Sequence, residues 1–234
     1  MKAQICGIGY VTAAGFGAGL RAKTNLLCPG EVRVPPRKDI FSGVDRRYGR
    51  LDSFSRLGLA ALALCLRDAA VEEWEEKRPI GIVAASKYGC VNTDLDYLDT
   101  MFPEGGRFAS PNLFAYTLPN CFLGEAALRF GLSGTTLVLN HHDPTGLALL
   151  EYAVQELHWN DHQGMLAGIC DLEAPAGFAS GTDSCGSVFL LLQREAPQVY
   201  GCLEYTATGF ELDGTPVNDL ATLLHVCAGS AGKR

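Results

Sequence analysis

The chain has 234 residues, of which 47% are hydrophobic and 19% are charged, and its formal net charge is −7. This length is enough to bury a hydrophobic core, and the composition excludes a disordered or fibrous protein. The negative charge provides no positive field to hold nucleic acid or anionic lipid, so we expect neither as a ligand. Charged residues are scarcer than the roughly 25% of a typical globular protein, which predicts that a partner covers part of the monomer surface.

Strands and helices alternate in the first half of the chain. An apolar strand is predicted over residues 3–12, where it runs into a glycine-rich turn, and a helix over residues 52–70, which is buried because its second half is mostly apolar. Residues 80–86 have the short, continuous apolar pattern of a buried strand. A helix is then predicted over residues 120–130, where Gly131 ends it, and a short strand over residues 137–139.

The clearest helix start follows this strand, in the segment Asp143-Pro144-Thr145-Gly146. We expect the Asp143 carboxylate to cap the helix and Pro144 to occupy its first position, because aspartate and proline are favoured there. Apolar residues then follow at helical spacing: Leu147, Leu150, Val154 and Leu157. The remaining predicted elements are two buried strands at 165–169 and 186–192, one or two helical turns at 220–226, and a frayed end at 229–234.

The whole pattern predicts one α/β domain over residues 1–234, in which helices pack on a mixed β-sheet. The longest apolar run, residues 57–66, is far shorter than the about 20 residues that cross a membrane, so we expect no membrane span. Nine cysteines without a CxxC pair are typical of reduced thiols in a cytoplasmic protein. The histidines form no ligand cluster with them, and adjacent residues such as His141, His142 and Asp143 point in different directions, so we expect no metal and no cofactor.

A longer motif of prolines, glycines and aromatic residues lies in the middle of the chain: Ser110-Pro111-Asn112-Leu113-Phe114, Leu118-Pro119-Asn120, Gly124, Ala127, Arg129-Phe130-Gly131-Leu132 and Gly134. With the strand motif at 4–12 and the glycine-bearing strand at 186–192, it resembles the N-terminal half of the β-ketoacyl synthases, the condensing enzymes of the thiolase fold. The resemblance runs from residue 3 to about residue 193 and leaves residues 200–234 unassigned. It implies a thiolase-like layered fold.

The resemblance also implies a departure at the family's nucleophile. In active members a cysteine at the N-terminus of a buried helix takes the acyl chain from a carrier protein. Aligning residues 146–150 on the segment after that cysteine places Asp143 at its position. A carboxylate held by helix N–H groups is a weak base, and its attack on a thioester would give a mixed anhydride of higher energy. The family's two histidines belong to the second half of the fold, which we expect this chain to lack, and His225 is without their glycine-rich setting.

We therefore assign no catalytic residue. Asp143 is interpreted as a helix cap worth about 1 kcal/mol. One of His141 and His142 is interpreted as filling the emptied pocket, with a general base as the alternative role. The resemblance implies that a small set of residues lines the pocket or a dimer interface: Phe114, Pro119, Asn120 and Thr145.

Three functions are compatible with these residues. The first is a noncatalytic, chain-length-factor-like partner in fatty-acid or polyketide synthesis on acyl carrier protein, either as a homodimer or as a heterodimer with a full-length ketosynthase. Its covered face would include residues 110–120 and the strand before Asp143. The second is an acyl-thioester hydrolase, decarboxylase or acyltransferase that uses Asp143 with His141 or His142. The third is a binding module for acyl-CoA or a lipid.

Overall fold

The computed structural model describes residues 1–20, 25–43, 45–140, 143, 145–175, 177–178, 185–196 and 200–231. In this part of the chain the strands are β1 Lys2–Thr12, β2 Gly15–Ala18, β3 Ile80–Ser86, β4 Thr136–Asn140, β5 Gly164–Asp171, β6 Gly186–Gln193, β7 Gly201–Thr206, β8 Gly209–Leu212 and β9 Thr215–Val217. The α-helices are α1 Arg37–Ile40, α2 Ser53–Asp68, α3 Val91–Met101, α4 Pro111–Phe114, α5 Cys121–Phe130, α6 Ala148–Trp159 and α7 Leu220–Ala231.

All of these strands belong to one mixed sheet. Its order is β4-β3-β5-β6-β1-β7-β8-β9, and β2 pairs with the end of β1. The strand β3 is parallel to β4 and to β5, whereas the other neighbours are antiparallel. The carboxyl ends of β3, β4 and β5 therefore meet at one edge of the sheet, where α6 follows β4 in the chain.

Helices cover both faces of the sheet and bury a hydrophobic core on each. The helices α2 and α5 pack on one face, and α6 and α7 pack on the other. Strand side chains alternate between the two cores, so that Leu191 contributes to the first and Leu190 to the second. Strands with two buried faces read as continuous apolar runs in the sequence, which is why these strands were predictable.

The buried helix α2 lies directly against β1 because β1 carries glycines at the contact. A Cβ atom on Gly9 would lie 2.1 Å from the backbone nitrogen of Cys65, and one on Gly7 would lie 2.6 Å from the Cys65 carbonyl oxygen. Asp52 caps the start of α2 by accepting a hydrogen bond of 2.9 Å from the backbone N–H of Ser55. The two glycines thus allow the first strand to approach the backbone of α2.

The predicted α/β architecture is confirmed, and so are the seven strands and helices predicted before residue 140 and at 165–169 and 186–192. Gly131 ends α5 in the left-handed conformation with φ 62°, as predicted. Within the described residues, no helix is long and apolar enough to cross a membrane. The sequence patterns did not reveal β2, α3, α4 or the antiparallel meander β7-β8-β9.

Two predicted helix boundaries are wrong. The helix expected to start around Pro144 begins at Ala148, with Leu147 as its cap residue, because the chain first turns back through Thr145 and Gly146, whose φ is 67°. Pro144 itself lies outside the described residues. The C-terminal helix continues to Ala231 instead of fraying from residue 229, since Leu223, Leu224 and Cys227 anchor it in the second core. Residues 232–234 are outside the described part of the chain.

Candidate functional site

Asp143, which the family resemblance aligns with the nucleophile, lies beyond the carboxyl end of β4, one of the parallel strands. Ser86 pairs with Asn140 at the ends of β3 and β4, and Asp171 is the last residue of β5. Asp143 follows three residues after Asn140, just before α6. This carboxyl edge of the sheet is the place where α/β proteins commonly bind ligands.

Asp143 uses its carboxylate to satisfy the backbone ahead of α6. Its oxygens accept hydrogen bonds from the Thr145 hydroxyl at 2.6 Å and from the backbone N–H groups of Thr145, Leu147 and Ala148 at 2.9, 2.9 and 3.0 Å. Burial alone would raise the pKa of Asp143, but these four donors outweigh it, so that the pKa lies below its usual value. The side chain is a half-buried, ionised carboxylate with four donors on its oxygens.

The other residues proposed at this position are Thr145, His141 and His142. Thr145 is in direct contact with Asp143 through both its hydroxyl and its backbone N–H, and its carbonyl accepts from the N–H of Leu220 at the start of α7. The structure therefore brings Thr145 and Asp143 together. His141 and His142 lie outside the described residues. Among the residues that are described, no group of three metal-ligating side chains is close enough to hold a metal ion.

A second carboxylate at the same edge, Asp171, was missed from the sequence. It accepts a hydrogen bond of 2.8 Å from the Ser86 hydroxyl and bonds of 2.9 and 3.1 Å from the backbone N–H groups of Lys87 and Tyr88. The Ser86 hydroxyl oxygen in turn accepts from the N–H of Gly89 at 2.7 Å. Asp171 thus holds the turn after β3 against the end of β5. The signal in the sequence is an acidic residue that ends a run of buried strand residues.

Unlike Thr145, the other residues expected at a pocket or interface lie in a largely exposed segment before α5: Phe114, Pro119 and Asn120. Phe114 and Leu118 are each 62% exposed, and Phe102 and Phe108 are each 70% exposed. Pro119 is half-buried and Asn120 is exposed immediately before α5. No hydrogen bond or ion pair joins residues 110–120 to Asp143 within the described chain. We call these four exposed side chains, of which three are aromatic and one is aliphatic, the aromatic surface: Phe102, Phe108, Phe114 and Leu118.

The cysteines that the structure buries are poor nucleophiles. Burial raises the pKa of Cys6 and of Cys90 to about 12, and raises the pKa of Cys65 and Cys170 well above its ordinary value. The half-buried Cys121 donates its thiol hydrogen to the Ala115 carbonyl at 3.1 Å, and burial raises its pKa as well. These thiols are protonated at neutral pH, and the thiol is a much weaker nucleophile than the thiolate.

The mixed sheet with helices on both faces is the layered architecture of a thiolase-like fold, which solved ketosynthase structures share with this chain. Residues 28–189 match the family model for the N-terminal domain of β-ketoacyl synthases, and the chain belongs to this family. It is 26% identical over 132 residues to 3-oxoacyl-[acyl-carrier-protein] synthase 2 of Vibrio cholerae, and equally to that of Vibrio harveyi. The alignment covers 56% of this chain and only 32% of either relative.

Solved structures of ketosynthases share the fold at lower identity. A type II polyketide acyl-carrier protein in complex with its ketosynthase matches with a TM-score of 0.65 at 18% identity, over 86% of this chain and 67% of that one. The ishigamide ketosynthase/chain length factor matches with a TM-score of 0.69 at 15% identity, over 86% and 62%. A ketosynthase in complex with its chain length factor from Xenorhabdus doucetiae matches with a TM-score of 0.60 at 16% identity, over 84% and 81%.

Proposed function

We propose that this chain is a noncatalytic ketosynthase-like subunit that pairs with an active ketosynthase in fatty-acid or polyketide synthesis on acyl carrier protein. In this proposal the chain is one domain over residues 1–234 and acts in the cytoplasm, where its buried thiols remain reduced. Its role resembles that of a chain length factor.

The hydrogen bonding of Asp143 carries the proposal. The family resemblance aligns Asp143 with the nucleophilic cysteine, and its carboxylate accepts from four donors within five residues. A carboxylate has about four lone-pair sites, and these four donors occupy them. No lone pair is then left to accept a further proton or to attack a thioester. The same argument disfavours the hydrolase, decarboxylase and acyltransferase functions, because each needs Asp143 as a base or nucleophile.

An unpaired sheet edge and the aromatic surface support a protein partner. Among the described strands, β4 pairs only with β3, and the side chains of Leu137, Val138 and Leu139 are half-buried. An edge strand offers unpaired N–H and C=O groups to another chain. Large exposed aromatic side chains are typical of protein interfaces. Because the similar solved structures include complexes of a ketosynthase with a chain length factor, we propose a ketosynthase as the partner.

Co-expression with a full-length ketosynthase from the same organism tests the pairing. We expect the two chains to elute together from a size-exclusion column. Phe114→Glu and Leu118→Glu place a charge on the aromatic surface and should abolish co-elution, without unfolding a chain in which these side chains are mostly exposed. Trp159→Glu is the matched control, because Trp159 is 68% exposed on α6, outside the aromatic surface. Separate elution of the two wild-type chains would contradict the proposed pairing.

A thioester assay separates this function from the enzymatic alternative. Wild-type protein and Asp143→Asn are incubated with acyl and malonyl thioesters, and free thiol is measured. We expect no turnover by either protein. Turnover by the wild type that disappears in Asp143→Asn would show that Asp143 is catalytic and would overturn the proposal.

A further inference from the structure

A groove that the proposed function does not use lies between the start of α6 and the β7-β8-β9 meander. It has a volume of about 530 Å³, within the range of small-molecule sites. One wall is the first turn of α6, with Leu147, Ala148 and Glu151, and the other is built from the meander, including Tyr205 and Phe210. We call it the α6–β8 groove. The family model ends at residue 189, so the meander wall lies beyond the matched region.

The groove places two aromatic rings next to a carboxylate. Tyr205 and Phe210 face each other across β7 and β8, with ring centroids 4.8 Å apart. Glu151 is close enough to the Tyr205 hydroxyl to raise the pKa of that tyrosine. Glu151 accepts a hydrogen bond of 3.1 Å from the side-chain amide of Gln155, which restrains the orientation of its carboxylate. Aromatic rings beside a fixed carboxylate attract a cation through the ring quadrupole and through the charge.

One carboxylate faces into the groove. Its charged lining residues in the described chain are Glu151 and Glu211, and the lining contains no lysine, arginine or histidine. Glu211 alternates along β8 with Phe210 and Leu212, which belong to the second core, so its side chain points to the opposite face of the sheet, where it lies opposite Glu204. Glu151 therefore supplies the charge on the groove side, where it favours a cation over an anion.

We propose that the α6–β8 groove binds a small organic ammonium ion, with the cation over the Tyr205 ring and beside the Glu151 carboxylate. The apolar substituents of the ligand contact Leu147, Ala148 and Val217, which also line the groove. An organic cation suits this lining better than a metal ion, because one fixed carboxylate and two rings do not form a metal coordination shell.

Choline and 3,3-dimethylbutan-1-ol test the proposal, because they share a shape and differ in charge. Binding of each to the purified chain is measured by isothermal titration calorimetry and by ligand-observed NMR. We expect choline to bind at least about tenfold more tightly than the neutral isostere. Equal affinity of the two probes would overturn the proposal, as would the absence of choline binding.

Variants locate the cation within the groove. Tyr205→Leu removes a ring and Glu151→Gln removes the charge, and each should weaken choline about fivefold or more, whereas Tyr205→Phe keeps the ring and most of the affinity. Glu156→Gln is the matched control, since Glu156 is on the same helix, pairs with His162 and does not line the groove. Choline binding that is insensitive to both Tyr205→Leu and Glu151→Gln would place the site elsewhere and refute the assignment. Ketosynthase pairing is measured separately, so the two proposals fail independently.

Discussion

Replacing Asp143 should destabilise the fold by an amount that its hydrogen bonds set. We expect Asp143→Ala to lower the free energy of unfolding at pH 7 by about 2 kcal/mol, and Asp143→Asn by about 1 kcal/mol, because an amide oxygen still accepts from some of the donors. For a chain of this size, 2 kcal/mol corresponds to a fall in melting temperature of about 4–8 °C.

Competition with water sets this magnitude. Four hydrogen bonds to an ionised group at about 1.5–3 kcal/mol each would exceed the whole cost of a typical point mutation. Asp143 is only half-buried, however, and the N–H groups of Thr145, Leu147 and Ala148 are free to bond water once the carboxylate is removed. The expected loss is therefore that of a strong helix cap, at the upper end of about 0.5–2 kcal/mol.

The pH dependence gives an independent check on the same carboxylate. The pKa of Asp143 in the folded chain lies below its ordinary value of 3.8. A depressed pKa stabilises the folded state above the ordinary value, and this stabilisation is lost as the pH falls through the folded pKa. The stability difference between wild type and Asp143→Asn should therefore be constant from about pH 5 to pH 8 and shrink below about pH 4.

Urea denaturation followed by circular dichroism measures both quantities. The matched control is Asp161→Asn, since Asp161 is exposed just after α6 and no described hydrogen bond involves its carboxylate. It should leave the midpoint unchanged. An Asp143→Ala variant as stable as the wild type at pH 7, or a wild-type advantage that persists undiminished below pH 3, would refute the capping role.

Two further substitutions test the packing around the site. Gly9→Ala puts a Cβ 2.1 Å from the backbone nitrogen of Cys65. We expect it to lower the free energy of unfolding, measured by urea denaturation, by about 3 kcal/mol or to make the protein insoluble. Gly43→Ala is the control, because nothing lies within 4 Å of its Cβ position. Asp171→Asn weakens the hydrogen bonds from Ser86, Lys87 and Tyr88. We expect the free energy of unfolding to fall by about 1–3 kcal/mol and the amide hydrogens of residues 86–89 to exchange faster. Unchanged exchange would contradict the proposed role of Asp171.

Local patterns were sufficient for the core elements of this protein. The apolar runs of β1, β3, β5 and β6 and the helix α2 are buried on most sides, and such burial leaves a continuous apolar signal in the sequence. The motif from Ser110 to Gly134 was specific enough to reveal the family, because it combines turn, cap and close-packing residues at fixed spacing. The sequence interpretation of Asp143 as the cap residue of α6 was wrong in position, because Leu147 is the cap residue, but the Asp143 carboxylate accepts from the N–H groups of Leu147 and Ala148.

Features that depend on contacts between distant residues required the tertiary structure. Three features arise from how separate elements approach each other: the start of α6 at Ala148, the hydrogen bond from Ser86 to Asp171, 85 positions away, and the exposure of Phe114. The same is true of the α6–β8 groove, in which Glu151 and Tyr205 meet although they are far apart in the chain. A single sequence records local backbone preference and burial through its periodicity, whereas the identity of a side chain's long-range neighbour is decided only when the layers pack.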